Sequence, residues 1–316
     1  MSNTFGTRFK VTTYGESHGV AIGGVIDGCP AGLRYDDALM VSEMARRHEG
    51  KGATTRKEAD IVEILSGIHN GYTLGTPIAF RIANGDVRSD DYTALENLYR
   101  PGHADYTYDA RYGRRDYRGG GRASGRETAA HVAAGAIAKM LLLTKGISIN
   151  AAIAEVYEAE TNDSAAGVIA CSVDGVPAGL GDPVFDKLNA RLAAAMLSIP
   201  SAIGFEIGAG FAAARMKGSQ YRDNWKGDGS MATLTNHCGG IQGGISNGMP
   251  IVFRVAFHPV VTIGQPTQCV DKNGDLHTWQ PQGRHDSNHL PRTIVVVEAM
   301  AALTLADFMV QTTHTL

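Results

Sequence analysis

An arginine–glycine run between residues 111 and 128 carries the strongest chemical signal in this 316-residue sequence. It reads RYGRRDYRGGGRASGRET and leads into an alanine-rich apolar stretch that predicts a helix. Ser124 and Glu127 have the spacing of a capping box, which predicts that the helix begins there. Glycines allow close backbone approach, helix N-termini offer unpaired N–H groups, and guanidinium groups match phosphate and carboxylate oxygens. The run therefore indicates a site for a small polyanionic ligand; a flexible basic loop or a nucleic-acid contact is the alternative.

Two histidines lie in glycine-containing turns where a ligand can reach them. His18 follows Ser17 between two apolar stretches, and His103 follows a Pro-Gly pair. Imidazole titrates near about pH 6.5, so either residue can donate or accept a proton near neutrality. An exposed turn histidine with a local hydrogen bond is the alternative for each. A nucleophilic Ser17–His18 pair is disfavoured, because neighbouring side chains on an extended segment point to opposite faces.

Two further segments are weaker candidates. Asp286 stands shortly before an apolar helix near the C-terminus, where it can act as a base or as an ordinary cap residue. Residues 239–248 contain two Gly-Gly pairs at predicted strand ends, which favours close packing against a flat ligand or a neighbouring strand. The segment is not a dinucleotide fingerprint, because G-x-G-x-x-G between strand and helix is missing.

The bulk composition fits a soluble enzyme better than a nucleic-acid-binding domain. Its net charge is −3 and its hydrophobic fraction is 43%, so the arginine run is a local concentration in a balanced chain with enough apolar residues for a core. The four cysteines are widely spaced, which predicts reduced thiols and no metal site. We see no signal peptide or membrane-spanning run, and we expect a cytoplasmic protein without a membrane partner.

Strand-like and helix-like segments alternate along the chain. Strands are predicted at residues 5–13, 20–26, 60–66, 77–82, 147–156, 167–173, 203–207, 240–245 and 250–257. Helices are predicted at residues 36–47, from 124 to about 143, 182–197 and 292–309, and residues 86–112 read as mostly polar. Strand pairs joined by short turns predict an α+β fold with antiparallel sheets, in one domain over residues 1–316. A strand–turn–strand–helix order in both halves suggests an internal duplication.

Five motifs, taken in order, resemble the chorismate synthase family and cover nearly the whole chain. They are GESHGVAIGGVIDGCP, RPGHADYTY, RDYRGGGRASGRET, GGIQGGISNGMP and RHDSNHLPR. The resemblance implies a β-α-β sandwich, with helices between antiparallel sheets, that assembles as a homotetramer. It also implies a lyase of the shikimate pathway that converts 5-enolpyruvylshikimate 3-phosphate to chorismate and phosphate with reduced FMN. No reductase domain is visible, so we expect an external flavin reductase rather than flavin reduction by the chain itself with NADPH.

The resemblance also implies roles for individual residues. His18 matches a histidine that protonates the departing phosphate, His103 one near flavin N1, and Asp286 a carboxylate near flavin N5 that removes the substrate proton. Ser17 and Ser124 match serines that support proton transfer. The implied flavin contacts are Arg122, Ala123, Ser124, Gly243, His258, Pro259, Val260, Val261, Thr262 and Arg284. The implied substrate-anion contacts are Arg46, Arg47 and Arg126. Arg111, Arg114 and Arg115 are expected to be surface or subunit contacts.

The chain departs from the family pattern in four places. Ala123 replaces the first serine of an Arg-Ser-Ser run, and His258-Pro259-Val260 replaces Lys-Pro-Thr. Residues 46–50 read RRHEG where the family has RRRPG, and the following loop is shorter. The segment 154–165 is also shorter than usual. These changes are expected to tune affinity; a catalytically impaired homologue that binds flavin or anions is the alternative.

Overall fold

The computed structural model describes residues 3–49, 58–85, 92, 95–158, 160–281 and 287–312. Its helices are α1 (Asp37–Ala45), α2 (Asp105–Tyr112), α3 (Thr128–Leu143), α4 (Leu188–Leu197), α5 (Gly218–Tyr221) and α6 (Leu290–Thr312). The strands of the first half are β1 (Thr4–Phe5), β2 (Lys10–Tyr14), β3 (Ala21–Asp27), β4 (Val62–Ile64), β5 (Ile68–His69), β6 (Tyr72–Thr73), β7 (Ile78–Ala83) and β8 (Leu98–Tyr99). Those of the second half are β9 (Ser148–Tyr157), β10 (Ala166–Asp174), β11 (Ala202–Ile207), β12 (Ile241–Gln242), β13 (Ile245–Ser246), β14 (Ile251–Phe257), β15 (Thr267–Asp271) and β16 (Leu276–Trp279).

The first large sheet is antiparallel, with strand order β1-β2-β3-β7-β4. The strands predicted before and after the turn with Ser17 and His18 do pair with each other, as β2 and β3, and that turn connects them. The predicted continuous strand over residues 5–13 is wrong, because β1 folds back and pairs with β2. The cause is Asp307 on α6, whose buried carboxylate accepts hydrogen bonds from the backbone N–H groups of Thr7, Arg8 and Phe9. Those N–H groups are therefore satisfied by a side chain instead of a neighbouring strand.

The second large sheet is also antiparallel, with strand order β11-β14-β10-β9. Side chains on β10 and β14 alternate between fully and partly buried positions, as expected for strands with one face on the core. The strands β9 and β10 form a hairpin, so the segment 154–165, expected to be shorter than the family pattern, comprises the end of β9 and the connection to β10.

Two apolar helices fill the space between the sheets. The α3 helix packs on the first sheet beside α1, α6 packs on the second beside α4, and α3 and α6 pack on each other. Close contact is possible because a Cβ at Gly135 would lie 2.4 Å from Cβ of Ala299. The α+β sandwich predicted from the sequence is confirmed, and in each half a large antiparallel sheet is followed by a long central helix.

The length and composition of α6 would allow it to cross a membrane, but 83% of its apolar window is buried inside this fold. Such burial is what distinguishes the core helix of a protein interior from a lipid-facing one. It is the one helix of this kind among the described residues.

Two further predictions of element bounds are wrong. The helix predicted over residues 182–197 begins only at Leu188, because Lys187 is extended and the preceding residues form a loop that leaves Phe185 94% exposed. The strand predicted over 240–245 is a two-stranded hairpin of β12 and β13, turned by Gly243 and Gly244 at positive φ. The polar stretch 86–112 contains β8 and α2 within its described part.

Candidate active site

A cavity of about 1800 Å³ is lined by residues from both halves of the chain. Glu16, His103 and Arg122 line it from the first half, and His258 and Arg292 line it from the second. Pockets for one small molecule are typically about 300–1,000 Å³, so this cavity has room for two ligands side by side.

The arginine–glycine run forms two short 3-10 turns before α3, not one continuous helix start. Oγ of Ser124 accepts a hydrogen bond from the Arg126 N–H at 3.2 Å, so Ser124 caps the second turn, although a capping box would use the Glu127 N–H. The reciprocal bond is also absent, because Glu127 pairs with Arg122 at 2.6 Å and the Ser124 N–H bonds to the carbonyl of Gly121. The capping-box prediction is therefore wrong for Glu127, whose carboxylate instead fixes Arg122 at the cavity wall.

His18 is buried, only 6% exposed, and is not the exposed turn residue of the alternative interpretation. Its Nδ1 lies 3.2 Å from Oγ of Ser17, and its ring meets the edge of Tyr92 with centroids 4.9 Å apart. The expectation that Ser17 and His18 point apart is wrong, because they occupy a turn rather than a strand. The imidazole of His18 lies directly against Gly119, which lines the cavity and has φ +86°. A Cβ at position 119 would lie 2.5 Å from Nδ1, so no larger residue fits there.

His103 lies on the cavity wall at the start of α2 and is held from both ring nitrogens. Nδ1 is 3.0 Å from the carbonyl oxygen of Pro101, which can only accept, so Nδ1 carries a proton. Nε2 lies 2.8 Å from Oγ1 of Thr262. Burial lowers the pKa of His103, and the positive charge of Arg100 lowers it further. The neutral imidazole is thus favoured, with Nε2 as the nitrogen that can take up a proton.

Glu16 is a cavity residue to which sequence reasoning gave no role. Its carboxylate lies beside Gly121, where a Cβ would come within 2.7 Å of Oε2. Burial raises the pKa of Glu16, whereas the charge of Arg122 opposes that rise. The signal in the sequence was its position one residue before Ser17 in the same turn.

Arg47 and Arg126 share one buried carboxylate. Asp60 accepts from Nε of Arg47 at 3.0 Å and also from Nη1 of Arg126, and it does so from a backbone with φ +47°. Burial opposes ionisation of Asp60, yet the charges of Arg47 and Arg126 lower its pKa overall. Each of the three side chains is 7% exposed or less. Both arginines are thus held inside the protein by internal partners, and their predicted contact with substrate stays a prediction.

Arg46 belongs to a second buried ion cluster. It makes a two-pronged contact with Glu298 on α6, at 2.6 and 2.8 Å, and a third contact with Glu43 at 3.0 Å. Lys139 on α3 bridges the same two carboxylates. This cluster joins α1, α3 and α6, and the residues that line the cavity in the described part of the chain do not include Arg46.

Arg115 is a structural residue, and its predicted surface role is wrong. Its side chain is 5% exposed, donates to the carbonyls of Leu95 and Leu98 at 2.8 Å, and lies over the ring of Tyr99. These contacts tie the loop before β8 to the arginine–glycine run.

The predicted flavin contacts fall in different places. His258, Val260 and Val261 line the cavity together with Arg122 and Ala123, and Thr262 bonds to His103. Gly243 lies in the β12–β13 turn and Pro259 in the loop after His258, and neither is among the described residues that line the cavity. Arg284 and Asp286 lie outside the described residues.

Besides Glu16, the cavity is lined by polar residues of the second half to which sequence reasoning gave no role, among them Ser201, His289 and Arg292. Nε2 of His289 lies 2.8 Å from Oγ of Ser201, which has φ +69°. The carbonyl of Ser201 accepts a hydrogen bond from the backbone N–H of His258. None of the three lies in a turn with a recognisable catalytic spacing, so only the fold brings them to the cavity. The four cysteines are free, as predicted, and the described residues hold no His/Cys/Asp/Glu group suited to a metal ion.

The fold and cavity together define an α+β sandwich protein with one large cavity lined by arginine and histidine side chains. The chain belongs to the chorismate synthase family, whose model matches residues 9–162 and 158–310. It is 49% identical to the chorismate synthase of Christiangramia forsetii, covering 98% of both chains, and 47% identical to that of Cytophaga hutchinsonii, covering 98% of this chain and 97% of the other. It also matches a solved chorismate synthase structure with a TM-score of 0.75 and 30% identity, covering 97% and 93% of the two chains. The alignment to the first relative spans 349 positions, so that relative has residues that this shorter chain lacks.

Proposed function

We propose that this chain is a lyase that converts 5-enolpyruvylshikimate 3-phosphate to chorismate and phosphate by anti-1,4-elimination. Family membership supports this activity, which is the last common step towards the aromatic amino acids. The observation that carries the proposal is the convergence of His103, Arg122 and the Gly119–Gly121 loop on one cavity, with His18 packed against Gly119.

The cavity has the features that a phosphorylated flavin requires. Arg122 and the glycine backbone offer donors for anionic oxygens, and the wall formed by His258, Val260 and Val261 combines an imidazole with apolar surface. We infer that reduced FMN binds along this wall, with Ala123 and Ser124 beside it. When bound, reduced flavin supplies the transient electron donation that eases cleavage of the allylic C–O bond.

The residues of the chain then have distinct tasks in moving protons. His18, hydrogen-bonded to Ser17, holds the proton for the departing phosphate. His103, whose Nε2 lies 2.8 Å from Oγ1 of Thr262, would hold or release a proton at Nε2 beside a bound flavin. We assign removal of the substrate proton to Asp286, which lies outside the described residues, and support of this transfer to Ser124.

The proposal includes two partners and a location. We expect an external reductase to supply reduced flavin, a homotetramer in solution and residence in the cytoplasm. Size-exclusion chromatography with light scattering tests the tetramer. Turnover with NADPH and FMN, with and without added reductase, tests the source of reduced flavin.

Anaerobic phosphate release decides the activity. Purified chain with photoreduced FMN should release phosphate from 5-enolpyruvylshikimate 3-phosphate and form chorismate, which absorbs in the near ultraviolet. Folded protein that binds both ligands but gives no product would contradict the proposed activity and favour the impaired homologue. Oxidised FMN in place of reduced FMN is the matched control and should give no product.

A further inference from the structure

Three arginine side chains converge where the first turn of α6 meets the 3-10 turn before α3. Arg292 lies on α6, Arg126 in the turn and Arg47 behind them. Burial lowers the pKa of Arg47 to about 10 against the opposing charge of Asp60. The nearby charges of Arg292 and Arg126 lower it further. Two carboxylates, those of Asp60 and Glu58, pair within this group of three arginines, so a net positive charge remains among these side chains, and such a charge favours a bound anion.

Two of these arginines use their donors inside the protein. Arg47 donates to Asp60 and to Thr128, and Arg126 donates to Asp60, to Asn84 and to the carbonyl of Ala83. Both are 6% exposed, and the cavity-lining residues of the described chain do not include them. Of these three arginines, Arg292 is the one that lines the cavity.

The guanidinium of Arg292 lies on the cavity wall beside the turn before α3. A Cβ at Gly125 would lie 3.5 Å from Nη2, an ordinary van der Waals contact, so the guanidinium lies next to the backbone of that turn. Thr128, His131 and Thr293 line the same cavity, and the hydroxyl of Thr293 donates to the His289 carbonyl. Thr128 connects the two sets of residues, since it accepts from Arg47 and donates to the Gly125 carbonyl.

We propose that Arg292 binds an anionic group, phosphate or carboxylate, of a small molecule in the cavity. Arg47 and Arg126 lie behind it and hold the turn that faces it. A planar guanidinium suits this task because its paired N–H groups match the oxygens of either anion. The inference takes its candidate ligands, the enolpyruvyl substrate and FMN, from the proposed function.

Calorimetric binding of four probes tests the inference. The probes are 5-enolpyruvylshikimate 3-phosphate, oxidised FMN, riboflavin and inorganic pyrophosphate, each titrated into wild type, Arg292→Gln, Arg292→Lys and the control Arg81→Gln. Arg81 lies on β7 with its side chain 51% exposed, so its replacement removes one charge elsewhere. Circular dichroism and thermal melting establish that each variant is folded.

Arg292→Gln should weaken binding of at least one phosphate-bearing probe about ten- to hundredfold, as expected for a charge-assisted contact. Arg292→Lys keeps the charge but loses the paired N–H donors, so its affinity should lie between those of wild type and Arg292→Gln. If Arg292→Gln does not fold, the affinity of Arg292→Lys decides whether Arg292 binds the anion. A loss confined to the substrate assigns Arg292 to substrate; a loss for FMN but not riboflavin assigns it to the flavin phosphate. Affinities for all probes within about twofold of wild type would overturn the inference. If wild type binds neither substrate nor flavin, the result counts against the proposed function. The affinity for pyrophosphate in wild type and in the Arg292 variants then tests whether Arg292 binds an anion.

Discussion

Nε2 of His103 lies 2.8 Å from Oγ1 of Thr262, although the two residues are 159 positions apart in the chain. His103 comes from the turn before α2, in the first half, and Thr262 from the loop after β14, in the second. The contact sets the orientation of the imidazole at the cavity wall. Because Nδ1 donates its proton to the carbonyl of Pro101, Nε2 is the nitrogen of the neutral imidazole that can accept a proton.

His103→Ala should therefore remove most turnover while flavin still binds. A positioned acid–base group contributes about 10² to 10⁴ in rate, so we expect a loss of that order in kcat. Single-turnover phosphate release and flavin fluorescence titration measure the two effects. Thr262→Val is the matched variant: it keeps the imidazole and removes only its partner, so its loss should be much smaller. Unchanged turnover in His103→Ala would remove this residue from the mechanism.

Asp60→Asn should destabilise the fold strongly at neutral pH. It leaves Arg47 and Arg126 buried without their shared carboxylate, which costs about 3–5 kcal/mol for a broken buried ion pair. The pKa of Asp60 is lowered in the fold, so its ionised form stabilises the protein above the unfolded pKa of about 3.9. That stabilisation is lost as pH falls through the lower folded value.

Denaturant unfolding at pH 7 and at pH 3 checks both statements. The difference in unfolding free energy between wild type and Asp60→Asn should be largest at pH 7 and smaller at pH 3. Asp27→Asn, at a half-exposed pair with Lys10, should change stability by less than about 1 kcal/mol. A difference that stays constant with pH would contradict the assigned ion pairs.

Gly119→Ala should disturb His18 and not merely the local backbone. The new Cβ would fall 2.5 Å from Nδ1 of His18, in addition to the cost of an L residue at φ +86°. Gly113→Ala isolates the second effect, because Gly113 has φ +70° and open space around it. We expect Gly113→Ala to lose about 1–2 kcal/mol and keep its activity, whereas Gly119→Ala loses more stability and most turnover. Equal effects of the two substitutions on thermal melting and turnover would refute this role of Gly119.

His258→Lys should strengthen flavin binding. It places on the cavity wall the permanently charged lysine that the family pattern has at this position. We expect FMN, but not riboflavin, to bind about threefold to tenfold more tightly at pH 8. His277→Lys, at a 46% exposed position on β16, adds the same charge away from the cavity and should have no effect. Equal gains for FMN and riboflavin would show that the phosphate is not the group concerned.

The local features of the candidate site could be predicted where the chemistry is contiguous in sequence. The turn with Ser17 and His18, the turn with His103 and the glycine run each carry their own signal, because glycine and proline mark turns and arginine marks anions. The antiparallel sheets of an α+β fold followed from strand pairs joined by short turns, whereas the sandwich arrangement was implied by the family resemblance. All of these depend on neighbours in the chain.

The remaining features depend on distant parts of the chain. Phe185 has the spacing of a buried helix residue, yet a loop places it in solvent, since backbone contacts with the β12–β13 turn start α4 at Leu188. Asp60 reads as an ordinary strand-flanking acid, and only folding places it between two arginines. Arg292 reads as the start of a core helix, and its place on the cavity wall depends on the packing of α6 against α3.

The close packing of Gly135 against Ala299 also bears on whether this chain can be divided. The helices α3 and α6 are apolar on the sides that face each other, so a fragment that ends after α3 would expose an apolar surface to water. The N-terminal strands would lose Asp307, which holds the chain between β1 and β2. A split enzyme should therefore regain activity only when both pieces are expressed together, because neither piece alone contains a complete wall of the cavity.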